Sequence, residues 1–189
     1  MGVYHAIAAP RRCPGDSMTA VRRRARFARM QLFVIRHATA EDATAGEPDS
    51  ERELTRDGER KLRRAIRGMR ALGWQFDRVL TSPWHRAART AHLLAPLRDA
   101  EPIATELLCQ SPRLELLSLI GEDGASSVAV VGHEPWLGEL IAWLAFGDRA
   151  PGEQIQLRKS GAVWLDGSPS PGAMKLRALL TPRVLRRLG

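Results

Sequence analysis

The stretch Leu32-Phe33-Val34-Ile35-Arg36-His37 decides the fold. Four apolar residues follow one another, two of them β-branched, and then give way at once to two polar ones. A strand with one wet face alternates apolar and polar side chains, whereas a strand covered on both faces is apolar throughout. Two further runs resemble it: Arg78-Val79-Leu80-Thr81, stopped by Ser82-Pro83, and Ser127-Val128-Ala129-Val130-Val131, followed by Gly132-His133-Glu134-Pro135. Helical periods lie between them. Leu62, Ile66, Met69 and Leu72 recur at helical spacing over residues 56–72, with Thr55 as N-cap and Gly73 as the stop. Helices are also predicted over 84–97, over 114–120 and from Pro135 to Phe146, where proline suits the first turn. Ile103 marks a short strand. Residues 154–158, 162–165 and 175–180 read as strands, and a short basic helix from Pro182 closes the chain. Strands alternating with helices predict a three-layer α/β/α sandwich with a mostly parallel central sheet and room for one antiparallel edge strand. Residues 30–189 read as a single domain without internal repeats.

Composition narrows the function classes. The 189 residues carry a net charge of +8, which first suggests nucleic acid. Residues 1–30, however, hold seven arginines against one acid, Asp16, so the remaining residues carry only +2. The basicity belongs to a tail. Residues 1–29 are expected to be a disordered or dispensable basic extension, with Met18 and Met30 as other possible starts; their Arg-rich, acid-poor make-up also resembles a transit peptide. No apolar run approaches the ~18 to 20 residues of a membrane helix. Cys13 and Cys109 show neither CxxC nor paired Cys-His spacing, which argues against a zinc site or a disulfide framework and for reduced thiols in the cytoplasm. The expectation is a protein with no metal or other cofactor, no nucleic-acid or membrane partner, and a monomeric state.

In open α/β sheets ligands bind beyond the carboxyl ends of the strands. The first strand delivers Arg36 and His37 to that edge, the second Ser82 to Arg86, and the third His133. Each alone is a weak signal, since a strand-end histidine is more often structural and a helix-start arginine more often solvated. Together, two arginines and two histidines repel one another unless an anion joins them, and arginine cannot shed its proton. Phosphate suits the guanidinium fork. Nearby positive charge lowers the pKa of a histidine, so His37 is expected to be neutral, with a lone pair to attack phosphorus. No carboxylate cluster suits magnesium and no Gly-rich Lys-Ser/Thr loop suits a nucleotide.

These residues also carry a resemblance. Residues 32–37 resemble the Arg-His-Gly signature of the histidine phosphatase superfamily, and Leu54-Thr55-Arg56-Asp57-Gly58 its Leu-Thr-x-x-Gly segment. Residues 81–91 resemble its Ser-Pro-x-x-Arg-Ala-x-Gln-Thr-Ala stretch, and Val131-Gly132-His133-Glu134-Pro135 its second-histidine motif. The four stand in the family's order. The resemblance implies a phosphoglycerate mutase-like fold, with His37 as nucleophile and Arg36, Arg86 and His133 completing a phosphate pocket. Chain length is most similar to that of the short phosphohistidine phosphatases of the SixA type, which implies a phosphoprotein substrate, such as a phosphorelay domain. Two positions depart from the pattern: Ala38 stands where glycine is usual, and Arg89 where glutamine is common. The methyl of Ala38 is costly only if its φ is positive.

Glu106, beyond the third strand, is a candidate general acid for an ester substrate; the competing reading is a solvated loop carboxylate. Trp84 and Trp136 either rim the pocket or pack at helix starts. Arg183, Arg186 and Arg187 read as a solvated helix face, or as part of a docking surface for an acidic partner. The other function classes are a phosphomonoesterase for a small ester and a non-catalytic phosphate-binding module.

Overall fold

Phe33 and Ile35 pack on one side of the sheet and Leu32 and Val34 on the other, all of them buried. That division explains the unbroken apolar run and sets the three layers. The computed structural model describes residues 29–189; the reading of residues 1–28 lies outside them. Strand β1 (Met30–Arg36) leads to helix α1 (Arg56–Ala71), strand β2 (Arg78–Thr81), helix α2 (His85–Leu93) and the short strand β3 (Ile103–Ala104). Helix α3 (Leu114–Ile120), strand β4 (Ser127–Gly132) and helix α4 (Trp136–Phe146) follow, then strands β5 (Ala162–Gly167) and β6 (Met174–Leu180) and helix α5 (Pro182–Leu188). The strands lie in the order β3-β2-β4-β1-β5-β6. The first four are mutually parallel, with β4 paired to both β1 and β2.

Helices α1, α2 and α5 cover the face that holds Phe33, Ile35, Ala129 and Val131. Helices α3 and α4 cover the face that holds Leu32, Val34, Val128 and Val130. Each buried strand residue contributes roughly 1.5–3 kcal/mol of apolar burial, so the two helix layers are what make a central strand of this composition stable. Thr55 caps α1 by accepting from Gly58 N at 2.8 Å. Gly68 lets α5 close on α1, since a Cβ there would lie 1.9 Å from the Leu185 carbonyl oxygen.

Three expectations need correction. The helix expected over 84–97 ends at Leu93, and a separate 3-10 turn covers Ala95–Leu97; Pro96 has no N–H with which to continue an α-helix. Two strands, not one, run antiparallel: β5 pairs antiparallel with β1, and β6 with β5. Residues 154–158 are not a strand. A 3-10 helix spans Ala150–Gln154, and the next residues run irregularly, because the Leu157 backbone is tied to side chains rather than to a neighbouring strand.

Candidate active site

The parallel strands end together. His37 N donates to Gly132 O at 3.2 Å, and Ser82 N to Val131 O at 3.0 Å. These bonds carry the β-ladder one step past the strands and hold three loop starts side by side. The cleft above them, about 370 Å³, is lined by Arg36, His37, Asp49, Arg52, Trp84, Arg86, His133, Glu134, Trp136 and Lys159. All four residues expected at the site therefore meet there.

His37 is buried, and its Nδ1 lies 2.7 Å from Ala38 O. A carbonyl can only accept, so Nδ1 carries the hydrogen and Nε2 keeps its lone pair. Ala38 N in turn donates to Thr90 Oγ1 at 3.0 Å, and Thr90 Oγ1 to Arg86 O at 2.7 Å. The loop after β1 and the first turn of α2 are thereby fixed to each other. Ala38 is not among the residues with positive φ, and its methyl is wholly buried in the core, so alanine fits where glycine was expected.

His133 packs beside it, with ring centroids 5.0 Å apart. Its Nε2 lies 2.9 Å from Ser82 Oγ, which also lies 3.0 Å from Cys109 Sγ and accepts from Trp84 N at 3.2 Å. The Trp84 ring lies 4.5 Å from the His133 ring and 6.0 Å from that of Trp136. The two tryptophans thus pack on one another and also wall the cleft. Both histidines are neutral at pH 7. His37 is pushed down to about 4, first by burial and then by Arg86, Arg36 and Lys159, against the Ala38 bond that raises it. His133 is pushed down to about 3 by burial, His37 and Arg86. The direction matches expectation, but burial outweighs the arginine charges that sequence reasoning emphasised.

Each arginine is anchored along one edge. Arg36 Nη1 donates to Leu157 O at 2.7 Å, and Arg86 donates through Nη1 to Asp49 O and through Nη2 to Asp49 Oδ2 at 2.7 Å. The opposite edge is different: Nε of Arg36 and Nε of Arg86 are buried without a partner among the described residues, as is Nδ1 of His133. A buried polar nitrogen left unpaired costs roughly 1–3 kcal/mol, and the three residues that carry these nitrogens all line the cleft.

Sequence reasoning missed Asp49, Arg52, Glu134 and Lys159. Asp49 bridges Arg86 and Arg52, each at 2.7 Å, and hydrogen bonding to Arg52 holds its carboxyl below the usual range. Glu134 accepts from Leu157 N at 2.7 Å and from Gly138 N at 3.1 Å; burial pushes its carboxyl up despite those bonds and Arg36. The cationic cluster is therefore partly balanced by two carboxylates, and an anion is not the sole means of holding it together. Glu106 does not line the cleft: it is exposed at the start of a 3-10 turn, Glu106–Leu108. His85 and Arg89 are exposed as well, in contact with Glu53 and Glu59 respectively. Among the described residues no group of histidines, cysteines and carboxylates is arranged to hold a metal ion, and no helix is long and apolar enough to cross a membrane.

Comparison with known proteins places this geometry. A family model for the histidine phosphatase superfamily, branch 1, matches residues 32–110. An uncharacterized protein of Picosynechococcus sp. is 31% identical over 162 residues, covering 79% of this chain and 90% of that protein. The phosphohistidine phosphatase SixA of Escherichia coli is 31% identical over 129 residues, covering 65% of this chain and 78% of SixA. Among solved structures, the protein histidine phosphatase SixA complexed with tungstate superposes with a TM-score of 0.68 at 26% identity, over 82% of this chain and 98% of that one. The alpha-ribazole phosphatase of Shigella flexneri, 17% identical with a TM-score of 0.62 over 81% of this chain and 97% of that one, shares the fold.

Proposed function

The chain belongs to the histidine phosphatase superfamily, and from that premise we propose that it removes phosphoryl groups from phosphohistidine in a protein, through a covalent phosphohistidine on His37. One observation carries the reading. Arg36, Arg86 and His133, each with a buried nitrogen that has no partner among the described residues, line the same cleft as His37, whose Nε2 keeps its lone pair. A phosphoryl group supplies the acceptors those nitrogens lack and the electrophile that lone pair requires.

The steps follow from the groups. His37 Nε2 attacks phosphorus in line on a phosphohistidine whose other ring nitrogen carries a hydrogen; the P–N bond breaks, its electron pair returns to the leaving nitrogen, and the substrate imidazole leaves neutral. The side-on edges of Arg36 and Arg86 and the N–H of His133 Nδ1 take up charge on the equatorial oxygens. Arg52 and Lys159 add positive charge at the cleft wall. Water then attacks the phosphorylated His37, the P–N bond breaks back to Nε2, and both hydrogens of the water leave on dihydrogen phosphate. His37 is returned neutral, with its hydrogen still on Nδ1. No carboxylic acid is needed for a protonated imidazole leaving group, which agrees with an exposed Glu106 that is not among the residues lining the cleft.

The test compares a phosphohistidine peptide with p-nitrophenyl phosphate, in wild type and His37→Ala. Hydrolysis of the peptide in preference to the ester, lost in the variant, is expected. Full activity in His37→Ala, or a phosphoryl group trapped on another residue, overturns the mechanism. Preference for the ester assigns the chain to small-ester hydrolysis instead, and phosphate binding without turnover assigns it to the non-catalytic class.

A further inference from the structure

Helix α1 carries a stripe of arginines that the cleft does not use. Arg56, Arg60, Arg63, Arg64 and Arg67 are exposed and, with Glu59, line a shallow surface depression of about 520 Å³. Their spacing puts them on one face of the helix, in rows ~6 Å apart over a length of ~17 Å. Arg60 pairs with Asp57 and Arg63 with Glu59, but among the described residues Arg56, Arg64 and Arg67 form no ion pair. Like charges at this spacing each cost an isolated helix roughly 0.2–0.5 kcal/mol, so folding gains nothing from the arrangement.

Charge is also segregated. Helix α1 holds seven basic residues against two acids, and α5, packed beside it, holds three against none. The two helices together carry +8, whereas residues 30–189 as a whole carry +2, which leaves −6 for the rest. The stripe starts at the cleft. Arg52 in the cleft wall precedes α1 by four residues, and Glu59 of α1 pairs with Arg89, one helical turn beyond Arg86. From there it runs down the flank, away from the strand ends.

We propose that this stripe docks an acidic helix of the protein that presents its phosphohistidine to the cleft, an inference that rests on the phosphohistidine reading above. Carboxylates at i and i+4 on a helix are also ~6 Å apart, so one acidic helix laid along α1 matches the arginine rows. An extended polyanion fits less well. A nucleic acid that outruns the ~17 Å stripe meets the negative remainder of the domain.

The experiment uses two synthetic peptides with the same phosphohistidine segment. In one it is followed by a helix with Glu at i, i+4 and i+8, and in the other by the same helix with Gln. Phosphoimidazole serves as the substrate without a helix. In wild type at low salt, kcat/KM is expected to be 10- to 100-fold higher for the Glu peptide, within the range of electrostatic steering. The ratio should fall to within twofold in Arg60→Glu/Arg64→Glu/Arg67→Glu and at 0.5 M salt, and to an intermediate value in the corresponding triple Gln variant. Turnover of phosphoimidazole should be unchanged in both variants, which also shows that they fold. Equal kcat/KM for the two peptides in wild type, or a ratio that survives the reversal, overturns the proposal. Tighter anisotropy-measured binding of duplex DNA than of the unphosphorylated Glu peptide reassigns the stripe to nucleic acid. If wild type cleaves none of the three substrates, the phosphohistidine reading fails. The docking proposal is then decided by anisotropy alone: it stands only if the Glu peptide binds more tightly than the Gln peptide in wild type and not in the reversal variant.

Discussion

Ser82→Ala should slow the reaction without touching the reacting atoms. Ser82 is fully buried, and its single hydroxyl hydrogen has two claimants, His133 Nε2 at 2.9 Å and Cys109 Sγ at 3.0 Å, while Trp84 N donates to its oxygen. For His133 to donate from Nδ1 toward a phosphoryl oxygen while neutral, Nε2 must accept, and Ser82 must be the donor. Removing the hydroxyl removes that bias, worth about 1–1.5 kcal/mol for one hydrogen bond. The ratio of His133 with hydrogen on Nδ1 to His133 with hydrogen on Nε2 then falls by about 5- to 10-fold, and kcat on phosphoimidazole should fall by up to as much. The ceiling is the loss of the whole donor, about 10²- to 10³-fold. KM should change less than twofold, because the arginine edges that hold the ground-state phosphoryl group are untouched. Stability should fall by about 1–3 kcal/mol, since Nε2 is left buried and unpaired. Stopped-flow turnover of phosphoimidazole, with His133→Ala alongside, separates the outcomes. A Ser82→Ala enzyme as fast as wild type refutes the tautomer argument. A loss as large as that of His133→Ala refutes it too, because it would assign Ser82 a direct role.

Four further expectations follow from the same geometry. His37 with a pKa of about 4 keeps its lone pair well below neutrality, so initial-rate kcat/KM on phosphoimidazole should stay nearly flat from pH 7 to 5, and an acid limb near 6.5 would contradict it. Both site histidines have folded-state values below the ordinary 6.5, so the unfolded chain takes up the proton first: their stabilising contribution is complete above pH 6.5 and is lost as the pH falls toward 4, at up to about 1.4 kcal/mol per pH unit each, measurable by urea titration. Gly68→Ala gains roughly 0.5–1 kcal/mol of helix propensity but drives a methyl to 1.9 Å from Leu185 O, and overpacking at roughly 1–3 kcal/mol wins; Tm should drop by several degrees with α5 displaced, whereas a rise in Tm would show that the α1–α5 contact is not held this closely. Glu106→Gln should alter turnover of phosphoimidazole and of p-nitrophenyl phosphate by less than twofold, and a selective loss on the ester would show that Glu106 reaches the cleft in the working enzyme.

The parts of this molecule that could be read from sequence are those whose place is dictated by the sheet. Leu32–Ile35 and Val128–Val131 are apolar on both faces because helices cover both, and the residues after them must emerge at the same edge, which is why Arg36, His37 and His133 could be placed together in advance. Residues 154–158 show where the same reasoning fails. The alternation of Ile155 and Leu157 with polar neighbours is real, and Leu157 is buried as a strand residue would be. Its N–H and C=O are satisfied by Glu134 and Arg36, however, so a strand-like pattern serves as the backbone brace of Arg36 in the cleft wall. Asp49 and Arg52 carried no legible signal for a related reason. They sit in a polar loop with no period, and Asp49 meets Arg86 across 37 residues of sequence. Pattern recovers side chains that a regular element delivers, and it loses those that a loop delivers. Here the first kind brings Arg36, His37 and His133 to the cleft, and the second anchors Arg86. The chemistry proposed for the site was accordingly more legible than its selectivity: the proposed nucleophile, His37, follows a strand end, whereas the docking proposed above assigns the choice among phosphorylated partners to loop 41–55 and to the exposed face of the helix it leads into.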